Sequence, residues 1–377
     1  MKQLIGEKIK SNNRLFGLDH LRAFAISFVF IFHYGRLFPH PEWTNSISVF
    51  GWTGVDLFFV LSGYLISSQL FEKIAQSKKI SFREFFLKRF FRIIPAYLVV
   101  LALYFLFPSF REREALAPLW KYLTFTQNIG LDLRTQGTFS HAWSLCIEEQ
   151  FYLLLPLTLI VLVYLKTIKR GYLLLLFLFV IGFFARYVAW HIIDSSHGEG
   201  DNFWVYWQEW IYYPTYSRLD GLLTGVSLAA TFQFLPKLKM QIEKYGNLLL
   251  LIGLIVLIAA YFMFLHQETL ITSVYGFPLV SIGYGLIVAG AISPTSFLYK
   301  FNSRITSTLA TLSYAVYLTH KIIIHLTQEY FSKLHIEKDS NVMFIISIAT
   351  SLLAALLLNK IIEKPFLRLK EKILARK

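Results

Sequence analysis

The chain has 377 residues, of which 55% are hydrophobic, 17% aromatic and only 16% charged. That charged share lies far below the roughly 25% of soluble domains, and with a mean hydropathy of +0.52 it excludes a soluble globular protein and points to a polytopic membrane protein. The formal net charge of +14 is distributed over the segments between apolar runs, which marks topology and excludes nucleic-acid binding.

A bilayer-spanning helix needs roughly 20 mostly apolar residues. On that rule spans are expected near 21–38, 50–70, 92–108, 143–165, 171–190, 216–234, 247–265, 271–292, 307–330 and 342–361. The fold class is therefore all-α, a polytopic membrane helical bundle of about ten transmembrane helices. It forms a single integral-membrane domain over 1–377, with no fused soluble domain expected. The 216–234 run is interrupted by Arg218, Asp220 and two glycines. The first apolar run begins near Leu21, behind a basic segment without a small-residue cleavage site, and reads as a retained helix.

Lys and Arg mark the cytoplasmic side. The basic groups are Lys2, Lys8, Lys10 and Arg14; the 71–92 segment; Lys166, Lys169 and Arg170; Lys237, Lys239 and Lys244; Lys300 and Arg304; and the tail from Lys360 to Lys377. The 191–215 segment, on the opposite side, has no Lys or Arg. Both termini are expected to be cytoplasmic. The single cysteine, Cys146, has no partner for an internal disulfide or a metal cluster.

Ionisable groups at membrane depth are functional candidates by default, because their desolvation must be offset by partners or water. In the first span His33 ends an apolar run in which nine of the eleven residues from Arg22 to Phe32 are aliphatic or aromatic. Arg22 and His33 are close to three full turns apart, so they share a face, roughly 16 Å apart along the axis. His33 is a candidate base; a structural histidine bonded to a carbonyl is the alternative. In the second span Asp56 lies at similar depth and could orient His33 as a carboxylate does in a hydrolase triad. The alternative is a helix-start aspartate favoured by the helix dipole. Gly54 and Gly63 would let helices pack closely.

The segment "SFREFFLKRFFRII", 81–94, reads as an interfacial helix running into the third span. Arg89 and Arg92 are i, i+3 neighbours able to act together on phosphates; plain anchoring is the alternative. In "HAWSLCIEEQFYLLLP" Ser144, Glu148 and Tyr152 form one stripe, with His141 and Gln150 nearby. Glu148 and Glu149 are expensive in lipid, so at least one should face a wet cavity; capping at the headgroups is the alternative. The ninth span carries Ser313, Tyr317 and His320, and the tenth ends in "IIEKPF" with Glu363. No Walker loop, HExxH, GxSxG or cysteine cluster occurs, and no metal is expected.

The segments "LDHLRAFAISFVFIFH", "GVDLFFVLSGYLI", "RFFRIIPAY", "WSLCIEEQFYLLLP", "RLDGLLTG", "SYAVYLTH" and "EKPF" follow in this order from about Leu18 to Phe366. The sequence resembles the acyltransferase 3 family, integral-membrane acyltransferases of which many O-acetylate surface glycans. The resemblance implies an acyl-CoA donor entering from the cytoplasm and an acceptor that is often an extracytoplasmic sugar. It implies that His33 is the catalytic histidine, with Arg22 matching the preceding arginine. It assigns Arg89 and Arg92 to donor binding and aligns Trp143, Ser144, Leu145 and Glu148 with the family's Trp-Ser-Leu-x-x-Glu motif. Ala23 departs from the glycine often found after the arginine, and Lys321, Ile322 and Ile323 depart from the residues usual after the ninth-span histidine.

The expected activity is O-acyl transfer, most often of acetyl, from acetyl-CoA to a sugar hydroxyl. The acceptor class is a cell-surface or lipid-linked glycan such as O-antigen, lipopolysaccharide or exopolysaccharide, at the inner (cytoplasmic) membrane. His33 is the expected general base, with Asp56 or Glu148 as its orienting carboxylate. Arg22, Arg89, Arg92, Trp143, Ser144, Gln150 and Tyr317 are the expected binding residues. An acyl-His33 relay is the mechanistic rival. A transporter or flippase of glycan or lipid precursors is the alternative class, because the same stripe could line a path. Expected partners are acyl-CoA, a glycan acceptor and membrane lipids, with homo-oligomerisation left open.

Overall fold

The computed structural model describes residues 15–113, 115–197 and 201–375; Lys2, Lys8, Lys10, Arg14 and Lys377 lie outside the described residues. Among the described residues all regular structure is helical. The main helices are α1 (Phe16–Leu37), α2 (Thr44–Gly51), α3 (Gly54–Ala75), α4 (Phe82–Leu106), α5 (Trp143–Tyr164) and α6 (Gly171–His197). They continue as α7 (Asp220–Phe234), α8 (Gly246–Phe264), α9 (Phe277–Ala291), α10 (Arg304–Ser332), α11 (Asn341–Leu358) and α12 (Lys364–Ala375). The chain is an all-α polytopic membrane bundle.

Local chemistry sets several helix ends. α1 stops at Phe38, whose extended backbone (φ −127°, ψ 156°) is what a residue before proline prefers. Ser81, Ser303 and Ser340 cap α4, α10 and α11 by accepting from the N–H groups of Glu84, Thr306 and Met343, which satisfies one orphan donor at each start. The 81–94 segment and the third span form one continuous helix, α4. The second span starts at Gly54 rather than near 50, because the short helix α2 precedes it.

Among the described residues eight helical segments are long and apolar enough to cross a membrane. The two expected spans outside that set are helices for which lipid is the wrong neighbour. α7 has only 15 residues. α10 is 29 residues long but polar along much of its length, and it buries Ser313, Tyr317, Thr319, His320, Lys321, Thr327 and Gln328. Both lie inside the bundle: α7 packs along α3, and α10 packs between α1 and α11. The α3–α7 contact needs glycine. A Cβ on Gly63 would sit 2.2 Å from the Leu222 carbonyl oxygen, and one on Gly225 2.3 Å from that of Val60. α6 and α8, by contrast, show most of their apolar surface to the outside, as lipid-facing helices do.

Candidate active site

Five helices enclose a cavity of about 180 Å³. α1 contributes Arg22, and α4 contributes Arg89, Arg92 and Ile93. α3 supplies an apolar wall of Val55, Phe58, Leu61, Leu65 and Ile66, together with Ser62 and Gln69. α5 adds Ser144, Leu145, Glu148 and Tyr152, and α10 adds Ser313, Tyr314 and Tyr317. The arginines come from the N-terminal halves of α1 and α4, within roughly the first three turns of each, so they gather at one end. That is the end where the sequence concentrates Lys and Arg. Among the described residues none of the three forms an ion pair, and Arg89 Nε is buried without a hydrogen-bond partner. Arg89 lies over the Tyr152 ring at 5.5 Å. Three guanidiniums without an ion-pair partner among the described residues give the wall of one cavity a concentration of positive charge that suits an anion.

Glu148 faces the same cavity. Its Oε1 accepts from Ser62 Oγ at 2.8 Å and its Oε2 from Tyr152 OH at 3.0 Å. At the inner end of the cavity Ser144 Oγ and Tyr317 OH are 2.6 Å apart. Tyr317 also bonds to the His141 carbonyl oxygen. A carbonyl only accepts, so Tyr317 donates to it and Ser144 donates to Tyr317.

Beyond this hydroxyl pair lie three buried histidines. His33 Nδ1 and His320 Nε2 are 2.9 Å apart. The His141 ring lies 5.7 Å from His33 and 5.0 Å from His320, centroid to centroid. Hydrogen-bond accounting assigns the neutral tautomers. His320 Nδ1 faces two backbone carbonyls, of Val316 at 3.0 Å and Tyr317 at 2.8 Å, so it must carry the proton. His320 Nε2 is then a lone pair and accepts from His33 Nδ1–H. That leaves the lone pair of His33 on Nε2, the form a base requires. His141 is 2% exposed, and neither of its ring nitrogens has a partner among the described residues.

A buried ion pair closes the outer side of this cluster. Lys321 Nζ lies 2.6 Å from Glu112 Oε1, with both side chains at 1–2% exposure. The same oxygen accepts from the Phe139 N–H at 3.1 Å. Phe139 has φ +54°, a left-handed conformation rare for a bulky residue, two positions before His141. Burial alone would push the Glu112 carboxyl up; the Lys321 ammonium and the N–H groups of Glu112 and Phe139 outweigh it and hold it below its usual range.

Two expected roles need correction. Asp56 does not orient His33. Both its oxygens are taken by Arg218 Nη2, at 2.8 and 3.0 Å. Arg218 is caged by the rings of Phe277 (4.2 Å), Tyr212 (4.6 Å), Trp143 (5.3 Å) and Trp52 (5.7 Å), so its Nε and Nη1 meet ring faces instead of acceptors. Depth alone suggested Asp56 beside His33, but a fully charged arginine out-competes an imidazole for a buried carboxylate. Glu148 does not orient His33 either, because Ser62 and Tyr152 hold it at the cavity. The side chain bonded to His33 is that of His320.

The binding residues expected from sequence divide the same way. Arg22, Arg89, Arg92, Ser144 and Tyr317 line the cavity. Trp143 and Gln150 do not. Trp143 is part of the Arg218 cage, and Gln150 ties three loop groups together: its amide N–H bonds Phe125 O and Asn128 Oδ1, and its oxygen accepts from Thr215. In "RLDG", Arg218 pairs with Asp56, while Asp220 pairs with Arg186 at 2.7 Å. That motif is a structural crossing point. His320 carried a signal in the sequence, a histidine within a span; Glu112 carried none, since its partner is on a distant helix.

Comparison with known proteins fits this arrangement. The family model for an acyltransferase domain matches residues 15–360. The chain belongs to the acyltransferase 3 family. It is similar to O-acetyltransferase OatA of Staphylococcus aureus strain NCTC 8325, at 31% identity over 379 residues, covering 95% of this chain and 58% of the relative. The same figures hold for O-acetyltransferase OatA of Staphylococcus aureus strain COL. The chain thus spans little more than half the length of these curated relatives. No solved structure matches it.

Proposed function

We propose that this protein is a membrane O-acyltransferase that moves an acyl group, acetyl in the first instance, from acyl-CoA to a sugar hydroxyl of a cell-surface or lipid-linked glycan. The observation that carries the reading is one arrangement: a cavity with three arginines that have no ion-pair partner among the described residues, whose inner wall, Ser144 and Tyr317, abuts the His33–His320 pair. The family and the printed name of the relatives support O-acetyl transfer. The cytoplasmic (inner) membrane is the proposed location, with the arginine end facing the cytoplasm as the basic residues suggest.

The chemistry follows from the groups present. Arg22, Arg89 and Arg92 hold the donor's phosphates. The apolar wall of α3 takes the uncharged arm that carries the thioester. The thioester carbonyl must pass the Ser144–Tyr317 pair to meet His33, so that pair parts or shifts as the arm enters. His33 Nε2 takes the proton of the sugar hydroxyl while its oxygen attacks the thioester carbon. The carbon–sulfur bond breaks, the acyl group is left on the sugar as an ester, and the imidazolium returns the proton to the departing thiolate. His320 fixes the tautomer and stabilises the imidazolium through His33 Nδ1–H.

The test uses purified protein in lipid, labelled acetyl-CoA and envelope glycans, with ester formation read by mass spectrometry. Wild type is expected to transfer label, and His33→Ala, correctly inserted and still binding CoA, to lose about 10²–10⁴-fold in rate. Near-normal transfer by His33→Ala would sink the assignment of the base. Label appearing on His33 itself would replace the direct route with a relay.

A further inference from the structure

A second cavity, of about 250 Å³, lies beside the first at the same end of the bundle. Arg22 and Arg92 line both, so the two meet at an arginine ridge. Their remaining walls differ in character. The first sets the apolar face of α3 against one carboxylate, Glu148, both of whose oxygens already accept from hydroxyls. The second carries two carboxylates, Asp19 and Glu363, and the amide of Asn359. A phosphate is drawn to the ridge and repelled by these carboxylates. The group that suits the second cavity is uncharged and offers N–H donors.

Glu363 supplies the decisive observation. It is 8% exposed. Its Oε2 accepts from Asn359 Nδ2, but its Oε1 has no partner among the described residues. A buried carboxylate oxygen without a donor is costly, and it marks a missing partner. Residues Asn359–Glu363 form a π-helical turn between α11 and α12, an irregularity frequent at functional sites. Glu363 also belongs to the "EKPF" segment, for which acyl transfer at His33 has no use.

We propose that the second cavity binds the purine base of the donor's nucleotide and that Glu363 Oε1 accepts from the exocyclic amine of adenine. This rests on the acyl-CoA reading above. The donor would then lie across the ridge, with its base in the acidic cavity, its phosphates on Arg22, Arg89 and Arg92, and its thioester arm along α3. The space is several times the share of about 30 Å³ that one water takes in the liquid, so a bicyclic ring fits. The deaminated base, hypoxanthine, places a carbonyl oxygen where adenine has its amine. A carboxylate repels that oxygen.

The experiment compares coenzyme A with its hypoxanthine counterpart for binding to the whole chain in lipid nanodiscs, by calorimetry. Wild type is expected to bind the adenine form at least about tenfold more tightly, the scale of one hydrogen bond to a charged group. In Glu363→Gln, whose amide can donate to the hypoxanthine oxygen, the preference is expected to fall to near unity or reverse. Equal affinity of wild type for both forms overturns the base assignment and leaves the donor reading standing. Binding of neither form overturns both. An unchanged preference in a Glu363→Gln protein that still binds coenzyme A removes Glu363 from the site. The wild-type comparison does not depend on whether any variant folds.

Discussion

Two sets of arginines in this bundle have opposite surroundings. Arg186 and Arg218 are fully enclosed, and each holds an aspartate, Asp220 and Asp56. Arg22, Arg89 and Arg92 line an open cavity with no carboxylate in ion-pair contact among the described residues. Removing the first set from water is expensive; in the second, Arg22 and Arg89 are half-buried and Arg92 is exposed. In the first set the cost is offset within the protein, so those charges hold helices together. In the second no carboxylate among the described residues neutralises the charge, which is the arrangement the proposed donor binding needs. Buried charge alone therefore does not mark a site; the better candidate is clustered charge at a cavity without a counter-charge among the described residues.

The largest effect should come from the satisfied set. Arg218→Met strands the Asp56 carboxylate, which is 2% exposed, in a dry aromatic cage. Breaking a buried pair in this way costs about 3–5 kcal/mol. We expect poor yield and a lower thermal midpoint, by fluorescence-detected unfolding in detergent. Adding Asp56→Asn should recover part of the loss, because the stranded charge is gone. If Arg218→Met unfolds like wild type, the pair is not a structural element and Asp56 must be reconsidered near the chemistry.

The unsatisfied set should respond in the reverse sense. Arg89→Met combined with Arg92→Met removes repulsion as well as charge, so folding should be unchanged or slightly improved. Coenzyme A affinity should drop about 10- to 100-fold or more, since charge-assisted hydrogen bonds contribute roughly 1.5–3 kcal/mol each. The salt dependence of binding should flatten alongside. Unchanged affinity would leave these arginines only the role of membrane anchors.

The contrast also explains what could be read from the sequence. Helices were legible because apolar runs of bilayer length can be counted, and α7 and α10 stood out through the polar residues they carry. The cavity was largely legible because Arg89 with Arg92, and Ser144 with Glu148 and Tyr152, share helix faces by local spacing. Partnerships across helices were not. Asp56 and Arg218 are 162 positions apart, and His33 and His320 are 287 apart. Similar depth offered Asp56 and Glu148 to His33, and packing gave it His320 instead. The shared face of Arg22 and His33 was read from spacing. The Ser144–Tyr317 hydroxyl pair at the inner wall of the cavity joins two distant helices and was not.

The Lys321–Glu112 pair belongs with the satisfied set by burial, yet it adjoins the histidines, and pH can test which comparison it obeys. The Glu112 carboxyl is held below its ordinary range in the folded protein. A group with a depressed folded value contributes stability above its unfolded value, near about 4.3 for glutamate, and loses it as pH falls through the folded value. Thermal stability of wild type should therefore decline below about pH 4.3 partly through Glu112. Other carboxylates titrate in the same window, so the informative quantity is a difference. A Glu112→Gln/Lys321→Met protein should show a shallower acid decline than wild type and the same profile above about pH 5.5, where Glu112 is charged in both folded and unfolded chains. Parallel profiles throughout would mean that the pair adds no pH-dependent stability. The remaining reason for a buried lysine in the middle of α10, paired with Glu112 of the loop after α4, would then be to set the left-handed turn at Phe139 that presents His141 to His33. Transfer rate in the double variant reads that alternative directly: a fall in turnover at unchanged coenzyme A affinity assigns the pair to positioning the histidines rather than to holding the fold.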